Sequence, residues 1–301
     1  MKRRSALKGL GSLFLVPSIS LAQNSNPDNL PVLRIGHLTD IHLKDEFDAP
    51  KRFIKCLHQL QSHTPKVDFV LNGGDIVFDM NKENINSINQ QWNLMNSILK
   101  NEFDLPVHYC LGNHDIWWYE NNKGEALYGK EYAMNQLKLA KPYYSFTKAN
   151  WKFIVLDSVH LDVDGTWYIG KLGNEQFHWL TNELKNTPKE MPVLVLSHIP
   201  ILTATNLIDD NIVNRWTMYG GDMHTDCAKI IELFYQHKNV KLCLSGHIHL
   251  REKLIYNNVT YICNGAVSGA WWEGNRRETA PGYGIIDLFE DGSFNEQYIN
   301  Y

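Results

Sequence analysis

Residues 32–42 read VLRIGHLTDIH, in which a mostly apolar run leads straight into Thr39-Asp40-Ile41-His42. The apolar part has the length and the Val, Ile and Leu content of a buried β-strand. Moving outward along the chain, the same arrangement recurs. DFVLN (68–72) leads into Gly73-Gly74-Asp75, and PVHYCL (106–111) into Gly112-Asn113-His114-Asp115. PVLVLS (192–197) is followed by His198, and VKLCLS (240–245) by Gly246-His247-Ile248-His249. KFIVLD (152–157) is a sixth strand-like run. Helical patterns fill the gaps at about 50–63, 82–100, 174–186 and 225–237; Asn174 with Phe177, Leu180 and Leu184 gives a capped, amphipathic example. Strand–helix alternation predicts an α/β fold whose ligands bind beyond the strand ends. Close-set strands follow at about 252–256, 259–263, 283–289 and 294–299, with hairpin turns at Asn257–Asn258 and Asp291–Gly292. No internal repeat or second domain interrupts residues 32–301.

Composition narrows the class. Apolar residues make up 44% and charged residues 21% of the 301, which excludes a disordered, collagenous or coiled-coil chain. No apolar run approaches the roughly 20 residues that span a bilayer. A net charge of -4 lacks the basic excess of an electrostatic nucleic-acid binder. That charge averages over two unlike pieces. Residues 1–22 carry Lys2, Arg3, Arg4 and Lys8 ahead of an apolar stretch and contain no acidic residue. This is the pattern of an export signal, with cleavage expected after Ala22 and a periplasmic or secreted destination. The Arg3–Arg4 pair followed by Leu7 and Lys8 resembles a twin-arginine signal, with Ala6 standing where a larger apolar residue is usual. Residues 23–31 form a polar linker. The expected mature chain keeps 25 basic against 33 acidic residues. Five cysteines without paired spacing form no complete disulfide framework and suggest neither a zinc site nor a nucleophile.

Five strands each deliver a carboxylate, imidazole or amide at one end. Core packing does not require such groups there, and converging carboxylates repel one another unless a cation joins them. The inventory suits two metal ions. Asp40, His42, Asp75 and His249 can surround one; Asp75, Asn113, His198 and His247 can surround the other, with Asp75 as a bridge. Glycines before Asp75, Asn113 and His247 free the backbone there. The mixed oxygen and nitrogen set is compatible with divalent or mixed-valence Mn, Fe or Zn. Such a pair of ions supplies hydroxide at neutral pH and offsets phosphoryl charge. His114 is not needed for either donor set and has the pKa of a proton donor to a leaving alkoxide, with Asp115 placed in sequence to orient its ring.

The ordered blocks Asp40-x-His42, Gly74-Asp75, Gly112-Asn113-His114-Asp115, His198 and Gly246-His247-x-His249 resemble the calcineurin-like metallophosphoesterase family, over about residues 32–265. The resemblance implies a four-layer α/β/β/α sandwich, a dinuclear centre with the ligands just named, hydrolysis of a phosphate mono- or diester, and His114 near the leaving group. Phe78 stands where related purple acid phosphatases carry a ligand tyrosine, so a tyrosinate–iron centre is not expected. A small-molecule or lipid-linked phosphoester is the expected substrate. A cyclic-nucleotide or nucleotide phosphodiesterase is the alternative within the class, and a non-catalytic metal-binding interaction module is the alternative outside it.

Other residues receive plainer expectations. Gly220-Gly221-Asp222-x-His224 follows no strand and reads as a solvated loop. His37 is expected to be buried or to contact a neighbouring strand, Asp157 to support the site, and Asn264-Gly265 to form a supporting turn. Arg276–Arg277 is read as a solvated pair. Trp117, Trp118 and Tyr119, Trp216 and Tyr219, and Trp271–Trp272 follow the polar clusters in loops, where some could form a stacking wall for substrate.

Overall fold

Leu33–Leu38 (β1) is buried along almost its whole length, because it lies mid-sheet between two neighbours. It runs parallel to Phe69–Asn72 (β2) and antiparallel to Gly282–Leu288 (β12). Val107–Tyr109 (β3) and Phe294–Asn300 (β13) complete a five-stranded sheet in the order β13-β12-β1-β2-β3. The computed structural model describes residues 30–118, 123–165, 167–208 and 219–301. The expected export signal, most of the expected linker, Tyr119 and Trp216 lie outside the described residues.

A second, six-stranded sheet gathers Tyr144–Lys148 (β4), Trp151–Val155 (β5), Val193–Leu196 (β8), Val240–Ser245 (β9), Glu252–Tyr256 (β10) and Val259–Cys263 (β11) in the order β10-β11-β9-β8-β5-β4. A two-stranded ribbon, Val159–Leu161 (β6) with Tyr168–Gly170 (β7), stands apart from both. The period of two along each strand explains the layering. On β8, Leu194 and Leu196 join Leu33, Ile35, Phe69, Leu71 and Leu242 in a core between the two sheets. Val193 and Val195 point the other way, into a core with Leu180, Leu184, Ile230 and Phe234. Those last four come from Gly173–Asn186 (α4) and Cys227–Gln236 (α5). Ala49–Gln61 (α1) and Ile85–Glu102 (α2) cover the outer face of the first sheet through Phe53, Leu57, Trp92 and Met95. Strands buried on both faces read as continuous apolar runs, which is why they were visible in sequence. The expected four-layer α/β/β/α sandwich is the observed architecture, and Pro31–Tyr301 forms one compact unit.

Local signals set the helix ends. The Asn84 side chain accepts from the backbone N–H groups of Asn86 and Ser87 and so caps α2. Pro50 lies in the first turn of α1, where its missing N–H costs nothing. Asn174 is not the cap of α4, which begins one residue earlier at Gly173 without a side-chain cap. The fourth strand, the ribbon and Glu131–Leu137 (α3) add to the elements expected from sequence. Both C-terminal hairpins form, but on different sheets: β10 pairs with β11 in the second, β12 with β13 in the first. No helix among the described residues is long and apolar enough to cross a membrane.

Candidate metal centre

Strands β1, β2 and β3 of the first sheet and β8 and β9 of the second release their chains into loops on one side of the sandwich. The seven expected ligands meet there. Asp40, His42, Asp75, Asn113, His198 and His249 are buried, and His247 is partly so. Asp40, His42 and His249 form one group able to hold an ion, and Asp75, His198 and His247 another. In the first, His42 Nε2 and His249 Nε2 are 3.1 Å apart, and Asp40 Oδ1 lies 3.3 Å from His249 Nε2 and 3.9 Å from His42 Nε2. In the second, His198 Nε2 is 3.2 Å from Asp75 Oδ2 and 3.0 Å from Asn113 Oδ1. Asp75 also reaches toward the first group: the same Oδ2 lies 3.5 Å from His42 Nε2, and Asp75, His42 and His114 form a third cluster able to hold an ion. Asp75 Oδ1 is taken by the backbone N–H of His114 at 2.8 Å, which fixes the carboxylate plane.

The histidine tautomers follow from what their outer nitrogens touch. Nδ1 of His42 donates to the Phe78 carbonyl (3.3 Å), Nδ1 of His198 to Gly73 (2.8 Å) and Nδ1 of His249 to Gly269 (2.6 Å). A carbonyl only accepts, so each Nδ1 carries hydrogen and each Nε2 is turned inward, as a metal-binding imidazole requires. Two Nε2 lone pairs at 3.1 Å, with carboxylate oxygens beside them, call for positive charge between them. The donor set therefore fits a divalent cation, of a kind that accepts mixed nitrogen and oxygen ligation.

The electrostatics agree. Burial opposes charge on Asp75, but His198 and His114 outweigh it and hold the carboxyl well below the ordinary range. Burial likewise opposes charge on Asp40, and His249 and His198 outweigh it. Burial lowers His198, yet Asp75 pushes it up to about 9, a measure of the negative field at that point. His247 goes the other way, down to about 3, through burial and the nearby His198. A neutral imidazole is the form that ligates.

The loops carry backbone strain. Asp40, His42, Asp75, His247 and His249 all have positive φ, between 44° and 73°, so strain clusters on the ligand residues themselves. The glycines serve a second purpose besides turning. A Cβ on Gly112 would fall 2.1 Å from Asp75 Oδ1, and one on Gly246 would fall 1.9 Å from Thr39 Oγ1 and 2.2 Å from Asp40 Oδ2. Close approach of the ligand carboxylates, more than a turn, excludes a side chain at these two positions.

His114 stands at the edge of the centre. Its ring meets His42 edge-on at 4.9 Å, and one of its nitrogens lies within 4.8 Å of donor atoms of His42 and Asp75. Asp115 does not orient it, which corrects the expectation from sequence. The Asp115 carboxylate is turned inward, accepting from the N–H groups of Gly112 (2.9 Å) and Ile76 (2.8 Å). Burial and Asp75 push its carboxyl up to about 7. The group beside His114 is Asp79, with Oδ1 3.2 Å from His114 Nδ1 in an ion-pair approach that is not aligned as a hydrogen bond. Asp79 is itself held by Asn81, whose N–H and side-chain amide both donate to Oδ1 at 2.8 Å, and by Gln91 of α2. Its only trace in sequence is a carboxylate four residues after Asp75.

His224 is buried, which corrects the solvated-loop reading: it contacts Ser197 Oγ at 3.0 Å and Asp226 Oδ1 at 3.4 Å. His37 is buried in β1 and accepts from Asn264 Nδ2 at 2.7 Å. Asp157 instead pairs with Lys130 Nζ at 2.5 Å. Arg276 and Arg277 are exposed, as expected. Trp117 belongs to the core, Trp118 packs beside Ile116 and Ile199, and Tyr219 is exposed. Trp271 does reach the centre: its ring centroid is 3.8 Å from that of His42.

A four-layer sandwich whose strand ends gather carboxylates and Nε2 atoms for metal ions defines a metal-dependent phosphoesterase. The chain belongs to the calcineurin-like phosphoesterase family, which matches residues 33–251. It is 24% identical over 280 residues to a 3',5'-cyclic-nucleotide phosphodiesterase of Nostoc sp. (strain PCC 7120), covering 89% of this chain and 91% of the relative. A probable glycerophosphodiester phosphodiesterase of Arcobacter nitrofigilis is 23% identical over 236 residues, 75% of each chain. The crystal structure of a dimetal phosphatase from Danio rerio has the same fold, with a TM-score of 0.59 at 15% identity, covering 90% of this chain and 99% of that one. The protein is accordingly a hydrolase of phosphoric ester bonds.

Proposed function

We propose that this chain is an exported, dinuclear phosphodiesterase acting on a small phosphodiester. The observation that carries the dinuclear reading is the position of Asp75 Oδ2, 3.5 Å from His42 Nε2 and 3.2 Å from His198 Nε2, between the two donor groups. Ions held there would supply Lewis acidity, lowering the pKa of a water and offsetting phosphoryl charge. The chain's own residues do the rest. Asp40, Asp75 and the inward Nε2 atoms set the two positions, and the carbonyls of Phe78, Gly73 and Gly269 keep the imidazoles in the ligating tautomer. His114 gives a proton to the departing oxygen. Burial lowers its pKa, but Asp75 and Asp79 more than restore it, leaving it above the ordinary histidine value. With Nδ1 turned toward Asp79, Nε2 is the nitrogen left to carry that proton.

A diester is favoured over a monoester by the names of the relatives, among them the cyclic-nucleotide and glycerophosphodiester phosphodiesterases. A non-catalytic module would have no need of every ligand position, and here all are filled. Export rests on the composition of residues 1–22, and mature protein beginning at Gln23 would support it. The test of activity compares bis-p-nitrophenyl phosphate with p-nitrophenyl phosphate after adding back Mn, Zn or Fe. Preferential turnover of the diester is expected; activity on neither would refute the reading.

A further inference from the structure

We propose that Trp271 is the platform for the leaving group, and that the group it takes is a planar aromatic ring carried by the departing alcohol. This rests on the phosphodiesterase reading above and adds a substrate class to it. The indole lies against the centre on one side only. Its centroid is 3.8 Å from His42, 4.9 Å from His114 and 5.6 Å from His249. The other donor group meets a different aromatic, Tyr168, whose ring is 5.8 Å from His247. His114, the proton donor to the leaving oxygen, is thus on the Trp271 side. An alcohol departing toward His114 passes the half-buried indole, with Phe78 edge-on behind it at 5.7 Å.

The backbone is built to hold the ring there. Trp271 and Trp272 have φ values of 56° and 74°, a conformation that bulky residues rarely adopt. Such strain persists only where surroundings impose it, and here they do. Val267 N–H donates to Thr39 O (2.9 Å), Ser268 Oγ to Asp40 O (2.8 Å) and Trp272 Nε1 to His42 O (2.9 Å). Arg52 donates to the Trp272 carbonyl at 2.6 Å, and its guanidinium lies 5.2 Å from the Trp272 ring centre. Trp272 is therefore a buried anchor tied to the loop that carries Asp40 and His42, and Trp271 is the ring it presents. Core packing alone would not require a second tryptophan in a strained conformation, turned toward metal-ligand imidazoles.

The test uses two diesters whose leaving alcohols have similar acidity but different shape: phenyl methyl phosphate and hexafluoroisopropyl methyl phosphate. In metal-loaded protein, Trp271→Leu should lower kcat/KM for the phenyl ester by about tenfold, the scale of a lost aromatic stack, and leave the other within about twofold. Trp271→Phe should recover most of the loss. A readout without turnover accompanies this: calorimetric binding of phenyl methylphosphonate and isopropyl methylphosphonate. The wild type should bind the phenyl compound more tightly, and Trp271→Leu should erase the difference at unchanged metal content. Equal losses on both esters, or lower metal content, would assign Trp271 to holding His42 and overturn the platform. Should Trp271→Leu fail to fold, equal wild-type affinity for the two phosphonates would still overturn it. Wild-type protein that hydrolyses neither diester would overturn the phosphodiesterase reading and the platform with it.

Discussion

His42 and His249 face each other Nε2 to Nε2 at 3.1 Å, while Nδ1 of each is committed to a carbonyl. A metal ion held between them would offset the two lone pairs and the carboxylates beside them, so bound cation is expected to stabilise the fold itself. Chelation should lower Tm. At a thousandfold excess over Kd, ligand binding contributes about 4 kcal/mol, or roughly 8–16 °C in a domain somewhat smaller than this one. A differential scanning experiment with EDTA, then with Mn or Zn restored, measures it. An unchanged Tm would count against a preformed metal site.

In the proposed reaction Asp79 acts through His114, whose Nδ1 it approaches at 3.2 Å, so its loss should show in proton transfer and leave substrate binding intact. Asp79→Asn is expected to reduce kcat by about tenfold to a hundredfold for a diester with an alkyl leaving group, less than the full contribution of a general acid because His114 itself remains, at little change in KM. A p-nitrophenol leaving group needs no proton, so its release should barely slow. Equal losses on both substrates would make Asp79 a structural residue only.

Gly246→Ala places a methyl group 1.9 Å from Thr39 Oγ1 and 2.2 Å from Asp40 Oδ2. Asp40 must then move, although the His247 N–H is bonded to it at 2.9 Å. We expect a stability loss of about 1–3 kcal/mol in urea, as for other overpacked sites, together with fewer metal ions per chain. Wild-type stability and metal content in this variant would show that the loop yields at no cost.

His37 makes stability depend on pH. Burial lowers its pKa from 6.5 to about 4, against an opposing pull from Asp40. The unfolded chain binds a proton below about pH 6.5 that the folded chain refuses until about pH 4. Stability is therefore full above that window and is lost as pH falls through it, by about 3 kcal/mol at the lower end. Urea unfolding of metal-free protein between pH 7 and 4.5 should show a shallower pH slope for His37→Asn than for the wild type. Identical slopes would mean that His37 is protonated inside the fold.

Much of this was legible in sequence because strands buried on both faces leave continuous apolar runs, and the polar residues closing those runs have no place in a core. Asp40, His42, Asp75, Asn113, His198, His247 and His249 stood out for that reason. What stayed hidden depends on side-chain direction across loops. Asp115 is next to His114 in the chain but turns to the Gly112 and Ile76 amides. Asp79 reaches His114 from another loop. His224 follows no apolar run, yet it is buried against Ser197. The ribbon of β6 and β7 has only three residues per strand, too few for a period to show. The strained pair Trp271–Trp272 has no sequence signature, since its conformation comes from hydrogen bonds to a loop some 230 residues earlier.

The most direct test of the central claim, two ions joined by one carboxylate, is metal content per chain in three proteins. Inductively coupled plasma mass spectrometry after dialysis should give two ions for the wild type. Asp40→Ala should keep one, because only the first donor group loses an oxygen. Asp75→Ala should hold fewer than one, because both groups lose their shared ligand. One ion in the wild type, or as many ions in Asp75→Ala as in Asp40→Ala, would contradict the account.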